Sequence, residues 1–319
     1  MNELETGESS SYKTICVVIP AYRVRAHILE VIRSIGPEVE KIVVVDDACP
    51  ERSGEYVEEN SSDPRVEVVF HKINLGVGGA VKSGYRRALE LNADIVVKVD
   101  GDGQMDVTKI EALIGPIKSG NADYTKGNRF FDVDTVRSMP KIRIIGNLVL
   151  SFMTKMSSGL WHIFDPNNGF TAISKLELVK LKLEKIDDRY FFESDMLFRL
   201  SLLNSRVLDV SLPAIYANET SSLKIRRVIL EFPVKHLRNT FKRIGYTYYL
   251  RDFKIASIEL PLGLLLSAFG LILGAYSWIH GIVTSTATQT GTLVLISMSV
   301  LAGLQLILAF LSYDTTHQK

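Results

Sequence analysis

Five consecutive residues, Asp100-Gly101-Asp102-Gly103-Gln104, place two carboxylates and a carboxamide on every second position. All three side chains offer hard oxygen donors, and the intervening glycines let the backbone turn tightly between them. Such a set suits Mg2+ or Mn2+, with diphosphate oxygens and water completing an octahedron. A solvated acidic turn, or a helix cap contributed by Asp106, is the plainer explanation, because Asp and Gly favour turns generally. A second acidic pair, Asp46-Asp47, closes an earlier apolar run and tips the balance towards a site.

The elements that must carry these residues follow from hydrophobic periodicity. Short apolar runs at 15–19, 41–45, 66–70 and 94–99 read as strands, and helical spacing covers 27–35, 54–60 and 76–91. Alternation of strand and helix implies an α/β domain with a largely parallel sheet, in which ligands gather beyond the carboxyl ends of strands. Both acidic sets lie at such ends. Gly76, Ala80, Gly84 and Ala88 form a small-residue stripe on the third helix, suited to close packing or to a ligand at its start. The run Gly76-Val77-Gly78-Gly79-Ala80-Val81-Lys82-Ser83 is neither a P-loop nor a dinucleotide fingerprint, because Val81 stands where each motif needs glycine.

Composition excludes some functions. A formal net charge of +1 over 319 residues argues against a nucleic-acid binder. Two cysteines, Cys16 and Cys49, cannot build a disulfide framework and suit a reducing compartment. Residues 1–11 read as a polar, disordered tail without an export signal.

The end of the chain is different material. Residues 260–283 and 290–313 contain no Asp, Glu, Lys or Arg, and each stretch is long enough to cross a hydrocarbon core of about 30 Å. The link at 284–289 carries no charge, so the spans read as a hairpin, whereas Arg243, Arg251 and Lys254 precede the first. The positive-inside rule then puts the main domain and both termini in the cytoplasm. Buried core helices of a soluble protein are the alternative. Residues 224–254, basic with interleaved aromatic and aliphatic side chains, read as helices in the headgroup layer. The stretch 139–164 reads the same way or as a core helix.

Taken together, the motifs resemble glycosyltransferase family 2. They are Pro20-Ala21-Tyr22, Val45-Asp46-Asp47, Asn74-Leu75-Gly76-Val77-Gly78 and Asp100-Gly101-Asp102-Gly103-Gln104. Lys126-Gly127-Asn128-Arg129-Phe130, Asp165-Pro166-Asn167-Asn168-Gly169-Phe170 and Phe192-Glu193-Ser194-Asp195 look like its polyprenyl-phosphate branch, the relatives of dolichol-phosphate mannosyltransferase. The resemblance implies a GT-A fold and inverting transfer from a UDP- or GDP-sugar to a polyprenyl or dolichyl phosphate. It assigns Asp100, Asp102 and Gln104 to the metal and diphosphate. Pro20, Tyr22, Asp46 and Asp47 would form the nucleotide pocket, with Gly76 and Lys82 as further donor contacts. Arg129 would bind phosphate, assisted by Lys126, Lys141, Arg143 or Lys224; Glu193 and Asp195 would order the pocket or supply a base, and Asp165 would shape the turn before Gly169 or face the donor sugar.

Departures from the family pattern are Arg23-Val24 after the Pro-x-Tyr motif, Cys49 in place of a serine, and 218–224 in place of an Arg-rich loop. The expected organisation is a tail at 1–11, a GT-A domain at 12–223, basic amphipathic helices at 224–256, a transmembrane hairpin at 257–313 and a tail at 314–319. Expected partners are the nucleotide-sugar, the lipid phosphate and the bilayer, with a homo-oligomer left open. The competing readings are a membrane-anchored transferase with a sugar hydroxyl acceptor and a degenerate, non-catalytic scaffold.

Overall fold

The computed structural model describes residues 12, 14–131, 141–212 and 225–316. The segments 1–11, 218–224 with Lys224, and 317–319 lie outside the described residues, as do the side chains of Lys141 and Arg143. Two compact units are present, Met1–Thr240 and Phe241–Lys319.

In the first unit the described residues form a seven-stranded sheet of order β3-β2-β1-β4-β6-β5-β7. Its strands are β1 (Ile15–Ala21), β2 (Lys41–Asp46), β3 (Val66–Phe70), β4 (Ile95–Lys98), β5 (Tyr124–Asn128), β6 (Thr171–Ser174) and β7 (Val207–Ser211). The first four run parallel, β6 is antiparallel to both β4 and β5, and β7 is parallel to β5. The sheet is largely parallel as expected, with β6 alone reversed among the described strands. The central strands are buried on both faces, so they read as continuous apolar runs.

Side chains still alternate between the two faces. Val17, Ile19, Ile42, Val44, Ile95 and Val97 pack with α1 (Ile28–Ser34) and α4 (Ile110–Lys118). Cys16, Val18, Val43, Val45 and Val96 pack with α3 (Val77–Glu90) and α7 (Phe192–Leu203). The small stripe on α3 has a packing cause. A Cβ on Gly84 would collide with Val18, and one on Gly76 would lie 2.6 Å from the Asp188 carbonyl oxygen. The remaining helices of this unit include α2 (Ser53–Asn60), α5 (Lys141–Ser158), α6 (Lys175–Lys180) and the first part of α8 (Ile225–Gly245).

Helices α5 and α8 invert the usual amphipathic arrangement. Their buried residues are mostly polar: Ser151, Thr154, Ser157 and Ser158 on α5, and His236 and Asn239 beside Phe232 on α8. Ser157 Oγ lies 2.8 Å from His236 Nδ1, and Thr154 Oγ1 lies 3.3 Å from Ser194 Oγ. Outward, α5 shows Ile145, Leu148, Val149 and Phe152, and α8 shows Leu230, Val234 and Leu237.

The second unit holds α9 (Ile255–Thr284) and α10 (Thr290–Thr316), two helices long and apolar enough to cross a membrane. Only 22% and 17% of their most apolar windows are buried, which a soluble core helix would not tolerate. Small residues bring the pair together. A Cβ on Gly263 would stand 2.9 Å from the Gly303 carbonyl oxygen, and one on Gly270 would stand 2.7 Å from Val300. At one end Arg243 donates two hydrogen bonds to Asp314, at 2.6 and 2.9 Å, and the Tyr248 hydroxyl donates a third at 2.7 Å.

Candidate active site

Parallel register brings the acidic sets to one edge of the sheet. Ala21 pairs with Asp46, and Lys98 pairs with Val18, so Asp100 follows at the level of Pro20. Antiparallel pairing of Lys98 with Thr171 brings Gly169 beside Asp100. A Cβ on Gly169 would collide with Lys98 Nζ and Asp100 Oδ2.

Asp46 and Asp47 are buried and fully used by the chain. Asp46 accepts from the backbone of Cys49 and Gly54, each at 2.7 Å. Asp47 accepts from Leu75 N at 2.8 Å and Gly76 N at 2.7 Å, and lies 2.7 Å from His71 Nδ1. His71 Nε2 in turn meets Ser83 Oγ at 2.8 Å. This Asp-His-Ser array braces the 71–76 turn. Cys49, where the family has serine, has a local role: its Sγ accepts from Arg23 N at 3.0 Å. Arg23 lies 5.6 Å from the ring centre of Tyr22, whose side of the edge is open, at 43% exposure.

Two expected donor contacts have other partners. Lys82 is buried, donates to the Ile186 carbonyl at 2.9 Å and pairs with Asp188. Gly76, at φ +94°, lets the 187–189 backbone approach α3, where Gly79 N donates to the Asp188 carbonyl. The close approach at the start of this helix is by the chain itself.

The acid-acid-amide segment sits in a turn. Asp102 Oδ1 accepts from Gln104 N at 3.1 Å, Gly103 has φ +75°, and Asp102 and Gln104 are half-exposed. Asp100 Oδ1 accepts from Lys98 Nζ at 2.8 Å, and the same ammonium lies 3.2 Å from Glu193 Oε1. Burial pushes the Glu193 carboxyl above its usual range, with Lys98 pulling against it and Asp100 reinforcing the rise. Burial would lower Lys98, but Asp100 and Glu193 outweigh it and keep the ammonium charged.

Arg129 grips Asp165 with both arms, Nε to Oδ2 and Nη2 to Oδ1, each at 2.7 Å. Asp165 is buried, at φ +49°. Burial raises its pKa, yet the Arg129 hydrogen bonds and the nearby charges of Arg129 and Lys126 hold it below the usual range. Lys126 is a buried staple, donating to the carbonyls of Phe164 and Asp165 at 2.5 and 2.8 Å. Asp195 accepts from Asp187 N and Asn239 Nδ2, each at 3.0 Å, and from Arg199 Nε at 3.2 Å.

The edge thus gathers Pro20, Tyr22, Asp100 and Gly169. Sequence reasoning missed Lys98, Gly169, His71 and Asn239. Lys98 alone left a plain signal, a charge inside an apolar strand.

Comparison with known proteins bears on the family and the fold. The family profile described as Glycosyl transferase family 2 matches residues 16–176. The UDP-N-acetylglucosamine–dolichyl-phosphate N-acetylglucosaminyltransferase of Methanococcus voltae is 29% identical over 70% of this chain and 93% of its own length. The dolichol-phosphate mannosyltransferase of Pyrococcus furiosus is 28% identical over 77% of this chain and 68% of its own. Among solved structures, glucosyl-3-phosphoglycerate synthase from Mycobacterium tuberculosis, in complex with Mn2+, UDP and its product, shares the fold. The TM-score is 0.53 at 20% identity, over 72% of this chain and 80% of that one. On its motifs, its mixed sheet and this match, the chain belongs to glycosyl transferase family 2.

Proposed function

We propose that the chain transfers a sugar from a nucleotide-diphosphate sugar to a polyprenyl phosphate at a membrane surface. The observation that carries this reading is the commitment of both acidic residues in the first turn of α7. Asp195 is held by Arg199, Asn239 and a backbone amide, and Glu193 by Lys98. A sugar hydroxyl acceptor needs a general base. A phosphate monoester is largely dianionic at neutral pH, its second pKa being about 6, and attacks without one. The named acceptors of the Methanococcus and Pyrococcus relatives support the same choice.

The donor set fits a divalent cation. Asp100, Asp102 and Gln104 offer hard oxygens at the open edge, and among the described residues no three His, Cys, Asp or Glu side chains form a ready cage. Diphosphate oxygens would complete the shell. Mg2+ or Mn2+ would neutralise charge on the leaving diphosphate. Tyr22 and Pro20 line the side for the nucleotide. Arg129, whose Nε and Nη2 are held by Asp165, would bring its positive charge to the phosphate. The exposed apolar stripes of α5 and α8 suit the headgroup layer of a bilayer crossed by α9 and α10, with the catalytic unit on the cytoplasmic side.

The test is a panel. Purified full-length protein is incubated with radiolabelled UDP- and GDP-sugars, polyprenyl phosphate and Mg2+ or Mn2+, then extracted with organic solvent. Label in the organic phase with one donor, lost on chelation, is expected. Water-soluble oligosaccharide alone would point to a hydroxyl acceptor, and no turnover of any donor to a scaffold.

A further inference from the structure

Lys98 is a charge where the fold calls for an apolar side chain. Along β4 the residues Val96, Lys98 and Asp100 share one face, and Val96 there packs in the layer of Tyr85 and Phe192. The ammonium, 1% exposed, meets Asp100 Oδ1 at 2.8 Å, Glu193 Oε1 at 3.2 Å and the Gly169 carbonyl at 3.3 Å. Its three donors thus have three acceptors, on the end of β4, on the 165–170 turn and on α7. Two carboxylates around one ammonium leave the cluster one negative charge in excess. One of those carboxylates opens the acid-acid-amide set.

We propose that Lys98 is a positioning residue for Asp100, a built-in counter-ion that makes tight cation binding depend on the donor's diphosphate. Before the donor arrives, the ammonium already satisfies part of the charge Asp100 presents. A divalent cation must compete with it and is held weakly. The diphosphate adds anionic oxygens to the cation's shell and shifts that competition. Cation and donor would then be retained together, and neither would occupy the edge tightly alone. This inference rests on the cation reading given above.

Manganese titration followed by electron paramagnetic resonance, on full-length protein in detergent with and without UDP or GDP, tests it without turnover. Wild type should bind Mn2+ weakly alone and far more tightly with one diphosphate. Lys98→Met keeps the length of the side chain and removes its charge. It should raise diphosphate-free affinity by about ten-fold or more, given the strength of a unit charge at this range. Lys98→Arg should retain the wild-type ratio.

Lys98→Met leaves two adjacent, partly buried carboxylates without their counter-charge and could fail to fold. The double variant Lys98→Met/Glu193→Gln carries the net charge of wild type yet removes the competitor, so it should still exceed wild type without diphosphate. If the folded variants reproduce the wild-type ratio, or bind more weakly without diphosphate, the Lys98 inference is overturned while the cation reading stands. A wild type that binds no Mn2+ with either diphosphate overturns both.

Discussion

Gly169 carries no functional group, yet it borders the charged cluster, because its missing Cβ is the space occupied by Lys98 Nζ and Asp100 Oδ2. An added methyl must displace either the buried Lys98 ammonium or the partly exposed Asp100 carboxylate. Overpacking of this kind costs about 1–3 kcal/mol. Gly169→Ala should therefore lower thermal stability modestly, while transfer activity falls by at least ~10-fold because Asp100 shifts. A variant with wild-type activity would show that the Asp100 position is not critical. At this scale the sequence was unevenly legible. The acid-acid-amide set suggests a cation site by residue type and spacing, and its place just after β4 adds the position. Asp46 and Asp47 look the same on paper, but their backbone-amide partners lie 3 to 29 residues further along the chain, which no local pattern reveals. The Ile186 and Phe164 carbonyls that Lys82 and Lys126 meet lie 104 and 38 residues away, equally out of reach of any local pattern.

At the scale of elements, strands and helices of the sheet were readable because each buries a periodic apolar set. The reversal at β6 was not, because a four-residue buried strand looks the same in either direction. Helices α5 and α8 were ambiguous for a physical reason too, since an inverted helix has the same periodicity as an ordinary one. Their polar seam makes a prediction. His236 lies buried between Ser157 and the Phe191 ring, and burial holds its pKa down to about 4. The unfolded chain titrates near ~6.5. Above that pH both states are neutral at this group and the histidine adds no pH dependence. As pH falls from 6.5 towards 4 the unfolded state takes up a proton that the folded state refuses, so stability is lost. The loss from this group approaches roughly 3 kcal/mol at the bottom of the window. His236→Gln removes it. The gap between wild-type and variant melting temperatures in detergent should therefore narrow or invert between pH 6.5 and 4. A constant gap would mean that His236 is protonated in the folded protein.

For the whole molecule, the decisive question is which surfaces meet water and which meet lipid. Both native cysteines, Cys16 and Cys49, are buried, so single cysteines introduced elsewhere can be labelled selectively. Four positions discriminate. Glu58, on α2, is exposed and polar; Ala287 lies in the link between α9 and α10; Phe152 and Leu237 lie in the outward apolar stripes. The Arg243–Asp314 pair joins the residues before α9 to the end of α10, so the two ends of the hairpin meet, and Ala287 belongs at the opposite end. Breaking such a buried pair from one side costs about 3–5 kcal/mol, which keeps this geometry in place while labels are read. In sealed inverted vesicles an impermeant maleimide should react with Glu58→Cys and leave Ala287→Cys untouched until detergent is added, because the basic flank stays cytoplasmic. Nitroxides at Phe152→Cys and Leu237→Cys should be relaxed more by oxygen, which concentrates in lipid, than by a water-soluble nickel chelate. A label at Glu58→Cys should show the reverse. Equal labelling at 58 and 287 would refute the hairpin, and water-like relaxation at both 152 and 237 would remove the bilayer from the list of surfaces that α5 and α8 are shaped to meet.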